Sequence, residues 1–140
     1  MNSRQHLAMG VFLTASTALV SSLAWAQPAP RPEAQTVTIR LSNFDFAPAQ
    51  LRLRVGVPVH LQFINDSTGG HDFSAPAFFA ASTLVSGLPP RDGTVDVPAK
   101  GSVDLTVVPR APGTYQVECT HFLHSLFGMS GTISVEAASG

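Results

Sequence analysis

Four side chains that bind soft or borderline metals are crowded between Cys119 and Met129, within VECTHFLHSLFGMSGTISV (117–135). They are a thiol (Cys119), two imidazoles (His121 and His124) and a thioether (Met129). Thiolate and imidazole together suit zinc or copper. Zinc has little use for a thioether, so Met129 weighs toward copper. Cys119, His124 and Met129 are spaced C-x4-H-x4-M, and a three-coordinate thiolate–imidazole centre needs one more histidine. His71, in NDSTGGHDFSAP (65–76), is placed to supply it. Two histidines, one cysteine and a weakly bound methionine are the donors of copper sites that move single electrons. A lone buried cysteine or methionine would be core filler, and it is the joint spacing that sets these residues apart.

The elements that would hold such donors begin after an apolar leader. MNSRQHLAMGVFLTASTALVSSLAWA has Arg4 in a short polar start, an apolar stretch from Leu7 to Val20, and a small-x-small end at Ala24-Trp25-Ala26. That layout predicts an export signal over 1–26, cleaved after Ala26. As a membrane anchor the run falls short of the roughly 20 residues a spanning helix needs. The mature chain, 27–140, then keeps one cysteine, one methionine and four histidines. It carries seven basic and nine acidic residues, a formal charge of −2. No basic patch points to nucleic acid and no further apolar span points to a membrane. A single cysteine cannot close a disulfide within the chain, even in an exported, oxidising compartment.

QPAPRPEAQ (27–35) reads as a Pro/Ala-rich tether, followed by one domain over 36–140. Period-2 alternation, the mark of a half-buried strand, recurs in VTIRL (37–41), LRLRV (51–55), VHLQF (59–63), VDLTV (103–107), YQVEC (115–119) and TISVE (132–136). Six such segments separated by Gly, Pro, Asn and Asp predict an all-β fold, an antiparallel β-sandwich or barrel. APAFFAASTL (75–84) is expected to form a turn or two of helix, SGLPPRDG a loop, and His71 is expected in a Gly-rich loop. In YQVEC the phase puts Tyr115, Val117 and Cys119 on one face, so the thiol points inward where the strand ends. His60, on the polar face of VHLQF, is expected to be exposed.

Over about residues 36–136 the sequence resembles the cupredoxins, small blue-copper proteins. The likeness lies in FDFAPAQLRLRVGVPVHLQFIND, GHDF and PGTYQVECTHFLHSLFGMSGTISV. It implies a Greek-key β-sandwich whose Cys-His-Met loop joins the last two strands. It implies His71, Cys119 and His124 as equatorial ligands of one copper ion, cycling between Cu(I) and Cu(II), and Met129 as the axial one. It also implies that Asp72 and Thr120, each directly after a ligand, hydrogen-bond to each other and tie the two loops together. Many members carry a Pro-Gly or similar turn before the second histidine, where this chain has THFLHSLFGM with the additional His121. His121 is expected to be a surface or supporting residue, since two residues from Cys119 is close for a ligand in place of His124.

No second histidine-rich cluster, paired carboxylates or Ser-His-Asp signature points to turnover, so an enzyme is not expected. The expectation is an exported, periplasmic, monomeric electron carrier that docks redox partner proteins near His124. There Phe122, Leu123, Leu126 and Phe127 would form an apolar collar. The alternative is a copper carrier that delivers metal rather than electrons.

Overall fold

The computed structural model describes residues 33–121 and 128–138. The leader, most of the tether, and His124 with the four collar residues lie outside the described residues. Ten strands and one short helix follow in chain order. They are β1 (Gln35–Ser42), β2 (Asp45–Ala47), β3 (Gln50–Arg54), β4 (Val59–Asn65), β5 (His71–Ser74), α1 (Pro76–Ala80), β6 (Ser82–Gly87), β7 (Thr94–Val97), β8 (Ser102–Pro109), β9 (Gly113–Glu118) and β10 (Ser130–Glu136).

The strands form two five-stranded sheets, ordered β2-β1-β4-β8-β6 and β3-β10-β9-β5-β7. This is the all-β sandwich expected from the alternation. Most of the inward set of each alternating strand is buried: Ile39 and Leu41, Leu51 and Leu53, Leu61 and Phe63, Leu105 and Val107, Val117, Ile133 and Val135, with Val37, Val55, Val103 and Tyr115 partly buried against them. The side-chain period of two fixes which face a residue takes, and burial of apolar area drives the two inner faces together.

Three features differ from the sequence expectation. The sheets are mixed: β1 pairs in parallel with β4, and β3 in parallel with β10. Alternation reports which face a side chain takes and not which way the neighbouring strand runs. The expected helix occupies only Pro76–Ala80, and Ser82–Gly87 pairs with β8 as an edge strand. His71 is not in a loop. It opens β5, opposite Val97 of β7.

The four residues of β5 are all buried, so this strand shows no alternation at all. Its Phe73 ring is the hub of an aromatic cluster, with centroids 4.9 Å from Phe63, 5.5 Å from Phe46 and 6.4 Å from Phe79. Edge and tilted contacts of this kind add to the area each ring buries. The ring anchors β5 in the core directly beside His71 and Asp72.

Candidate metal centre

Cys119 follows the last residue of β9 and Met129 precedes the first residue of β10. The antiparallel ladder pairs Ser130 with Glu118. One step further it sets Cys119 opposite Met129, and there the Cys119 N–H donates to the Met129 carbonyl at 3.1 Å. The Cys-to-Met loop is therefore closed at its base by a backbone hydrogen bond between the two sulfur residues. Both are fully buried. Gly128, with φ +86°, bends the chain into Met129 in the left-handed region that glycine enters without strain.

The other side of the centre is β5. Strands β5 and β9 are bridged only at Ser74 and Glu118. Continuing that register would set Asp72 opposite Thr120, but side-chain bonds take over from the ladder at this point. The Thr120 N–H donates to Asp72 Oδ1 at 2.7 Å, and the Thr120 hydroxyl donates to Asp72 Oδ2 at 2.5 Å. Asp72 is 3% exposed. A buried carboxylate held by two donors makes charge-assisted bonds, stronger than neutral ones. The link implied by the resemblance is present, and it ties the His71 strand to the Cys119 strand.

That tie brings the donors together. Cys119 Sγ lies 3.8 Å from His71 Nδ1, both residues being 1% exposed or less. A thiol and an imidazole this close, shielded from water, fit a soft or borderline metal by donor type. Of the four residues assigned to the metal from sequence, His71, Cys119 and Met129 are thus buried in adjoining strand ends. His124 lies outside the described residues.

His121 sits beside this pair and is exposed by 43% at its side chain. Its Nε2 is 3.9 Å from Asp72 Oδ2, and its Cε1 would lie 3.5 Å from a Cβ placed on Gly70. Asp72, Asp96 and His121 place donor atoms within 4.8 Å of one another. Both Asp72 oxygens already accept from Thr120. His60 is half-exposed, 3.3 Å from the Thr106 hydroxyl, away from the centre.

Burial pushes the Cys119 thiol up from its ordinary 9.0. Backbone hydrogen bonds from Asp72 and His121 pull it down, without reversing the shift, and the Asp72 charge adds to the rise. The metal-free protein therefore holds a protonated, shielded thiol at neutral pH. Its reaction with a thiol-specific disulfide reagent at pH 8 is expected to be at least about a hundredfold slower than in denaturant. Because the folded thiol titrates above 9.0, that rate should reach half its plateau only above pH 9.0, where an unshifted thiol is already half ionised. Stopped-flow absorbance checks both.

Sequence reasoning missed the buried polar pair Asn65 and Ser67, at the end of β4 and in the loop toward His71. Asn-Asp-Ser-Thr-Gly-Gly reads simply as turn residues. The only signal was an Asn placed at the strand's inward phase, two residues after Phe63.

The family model for the Cupredoxin-like domain matches residues 15–135. The chain belongs to the cupredoxin family. Among curated proteins, this cupredoxin is similar to auracyanin-B of Chloroflexus aurantiacus, 33% identical over 123 residues. The match covers 73% of the chain and 52% of auracyanin-B, so the chain spans about half the length of that relative. Among solved structures it is similar to auracyanin B, at 28% identity and TM-score 0.56, covering 73% of this chain and 88% of that one. It shares the fold of auracyanin A, described as a "blue" copper protein from C. aurantiacus, at 20% identity and TM-score 0.54. That match covers 74% of this chain and 100% of the other.

Proposed function

We propose that this cupredoxin holds one copper ion and carries single electrons between redox partner proteins. In this reading His71, Cys119 and His124 bind the metal and Met129 is its weak axial donor. The observation that carries the reading is the buried contact between Cys119 Sγ and His71 Nδ1, 3.8 Å apart. The likeness to auracyanin B supports it. Bound copper would supply a one-electron couple. The protein's part is to keep the donors in one arrangement whichever oxidation state is bound, so that little rearranges when an electron moves. Three ties serve that end: the Cys119–Met129 backbone bond, the Asp72–Thr120 pair and the Phe73 cluster.

The role proposed is carriage of electrons and not turnover of a substrate. The proposal extends to export, with cleavage after Ala26 and residence in the periplasm, and to brief docking of partners near His124. Such redox contacts are small, below about 1,200 Å² in total.

Electron carriage and metal delivery are separated by one pair of measurements. For a carrier, nuclear-magnetic line broadening in mixtures of oxidised and reduced protein should show fast electron self-exchange. Copper should meanwhile stay bound through hours of challenge by a competing chelator. Slow self-exchange with ready loss of copper to the chelator would replace the carrier reading with metal delivery.

A further inference from the structure

The loop between β4 and β5 delivers His71, and its interior is organised by one side chain. Asn65, the last residue of β4, is 1% exposed. Its Nδ2 donates to the Gly69 carbonyl at 2.9 Å and to the Val97 carbonyl at 3.0 Å. Its Oδ1 accepts from the Ser67 N–H at 2.9 Å and from the Ser67 hydroxyl at 2.7 Å. The same hydroxyl lies 2.8 Å from the Gly69 carbonyl. Both donors and both acceptor sites of the carboxamide are used, so the amide has one orientation that satisfies its neighbours.

The targets of the two donations matter more than their number. Gly69 is two residues before His71, and Val97 is the residue directly opposite His71 in the β5–β7 ladder. Strand β4 belongs to one sheet, and β5 and β7 to the other. One carboxamide therefore grips both the chain entering His71 and the strand paired with His71, from across the sandwich. An ordinary Asx turn needs only the Oδ1 acceptor, which Asp or Ser could provide. The two Nδ2 donations go beyond that turn, one closing the loop at Gly69 and the other crossing to β7. They fix the backbone frame on which the His71 ring stands.

We infer that Asn65 is a positioning residue for His71, holding the imidazole's backbone rigid so that the centre keeps one geometry through oxidation and reduction. The inference rests on the copper-carrier reading, and deepens it by naming a support outside the ligand loop. The bonds of the Asn65 carboxamide go to Ser67, Gly69 and Val97. It acts through Gly69 and Val97.

The test compares Asn65→Asp with Ser67→Ala in the full mature chain, at a temperature where near-ultraviolet dichroism shows both folded. N65D keeps the acceptor for Ser67 and loses the amide donors. S67A keeps both amide donations. Loss of supporting hydrogen bonds around a metal commonly weakens binding by about tenfold to a hundredfold. N65D is expected to release copper to a chelator at least about tenfold faster and to exchange electrons about tenfold more slowly, with S67A within about threefold of the parent. In the metal-free protein, amide hydrogen exchange over 69–72 should speed up in N65D and leave β8 unchanged. Lower thermal stability in N65D with copper release, self-exchange and exchange over 69–72 all at parental values would overturn the inference.

Should N65D not fold, the parent protein decides. Its Asn65 side-chain amide protons should resist exchange as strongly as the backbone amides of β4, and rapid exchange would overturn the tie. A parent that never develops thiolate-to-copper absorption contradicts the copper reading instead, and the metal-free exchange data still decide whether Asn65 holds the His71 segment.

Discussion

Replacing Cys119 by Ser is expected to abolish intense visible absorption in the Cu(II)-loaded protein, leaving less than about a tenth of the parental band. That band requires a thiolate donor, and this chain has one cysteine. The substitution should leave the fold in place. The backbone bond from residue 119 to Met129 does not involve the side chain, and a hydroxyl is close in size to a thiol. A buried hydroxyl with an imperfect partner costs about 1–3 kcal/mol, within what a folded domain tolerates. Absorbance titration with Cu(II), alongside denaturant unfolding of the metal-free variant, separates lost colour from lost structure. Strong colour surviving in the Ser variant would remove Cys119 from the centre.

The largest effect on stability is expected from Phe73→Ala. Phe73 is 2% exposed and its ring meets Phe46, Phe63 and Phe79. Truncating a buried phenylalanine costs about 3–5 kcal/mol through lost apolar burial and the cavity left behind. In a domain of this size that should lower Tm by roughly 15–30 °C, if a folded state survives at all. Phe73→Leu, which refills most of the volume, should cost markedly less. Because Phe73 directly follows His71 and Asp72 in β5, the Leu variant should also loosen copper. Denaturant unfolding of the metal-free proteins measures the first effect. A loss under about 1 kcal/mol for Phe73→Ala would mean that the ring is not the anchor of β5.

How much of this was legible in the sequence follows from what a periodic pattern can carry. Six strands announced themselves, because five or more residues that alternate about one buried face repeat visibly. Thus Val117 and the inward phase of Cys119 could be read directly. Strand β5 could not, since its four residues are all buried and follow two glycines, and so His71 was expected in a loop. Strand β6, STLVSG, is a mostly exposed edge with no inward face to betray it. The parallel pairings were invisible because they depend on which strands cross between sheets.

In the candidate centre, Cys119 and Met129 stood out by residue type, but the bond that joins them at the base of the loop needed the β9–β10 register. The Asp72–Thr120 tie was reachable only through resemblance, its partners being 48 residues apart in the chain. Asn65 carried no signal of its own, because a sequence does not show that its amide reaches Val97, 32 residues away.

The most direct measurement is the visible and paramagnetic resonance spectrum of the mature protein loaded with one equivalent of Cu(II). A centre built on the buried Cys119–His71 pair predicts an intense thiolate-to-copper band in the visible and an unusually small copper hyperfine splitting, both absent after reduction. A weak visible band with the large hyperfine splitting of ordinary nitrogen- and oxygen-bound copper would contradict the proposed centre.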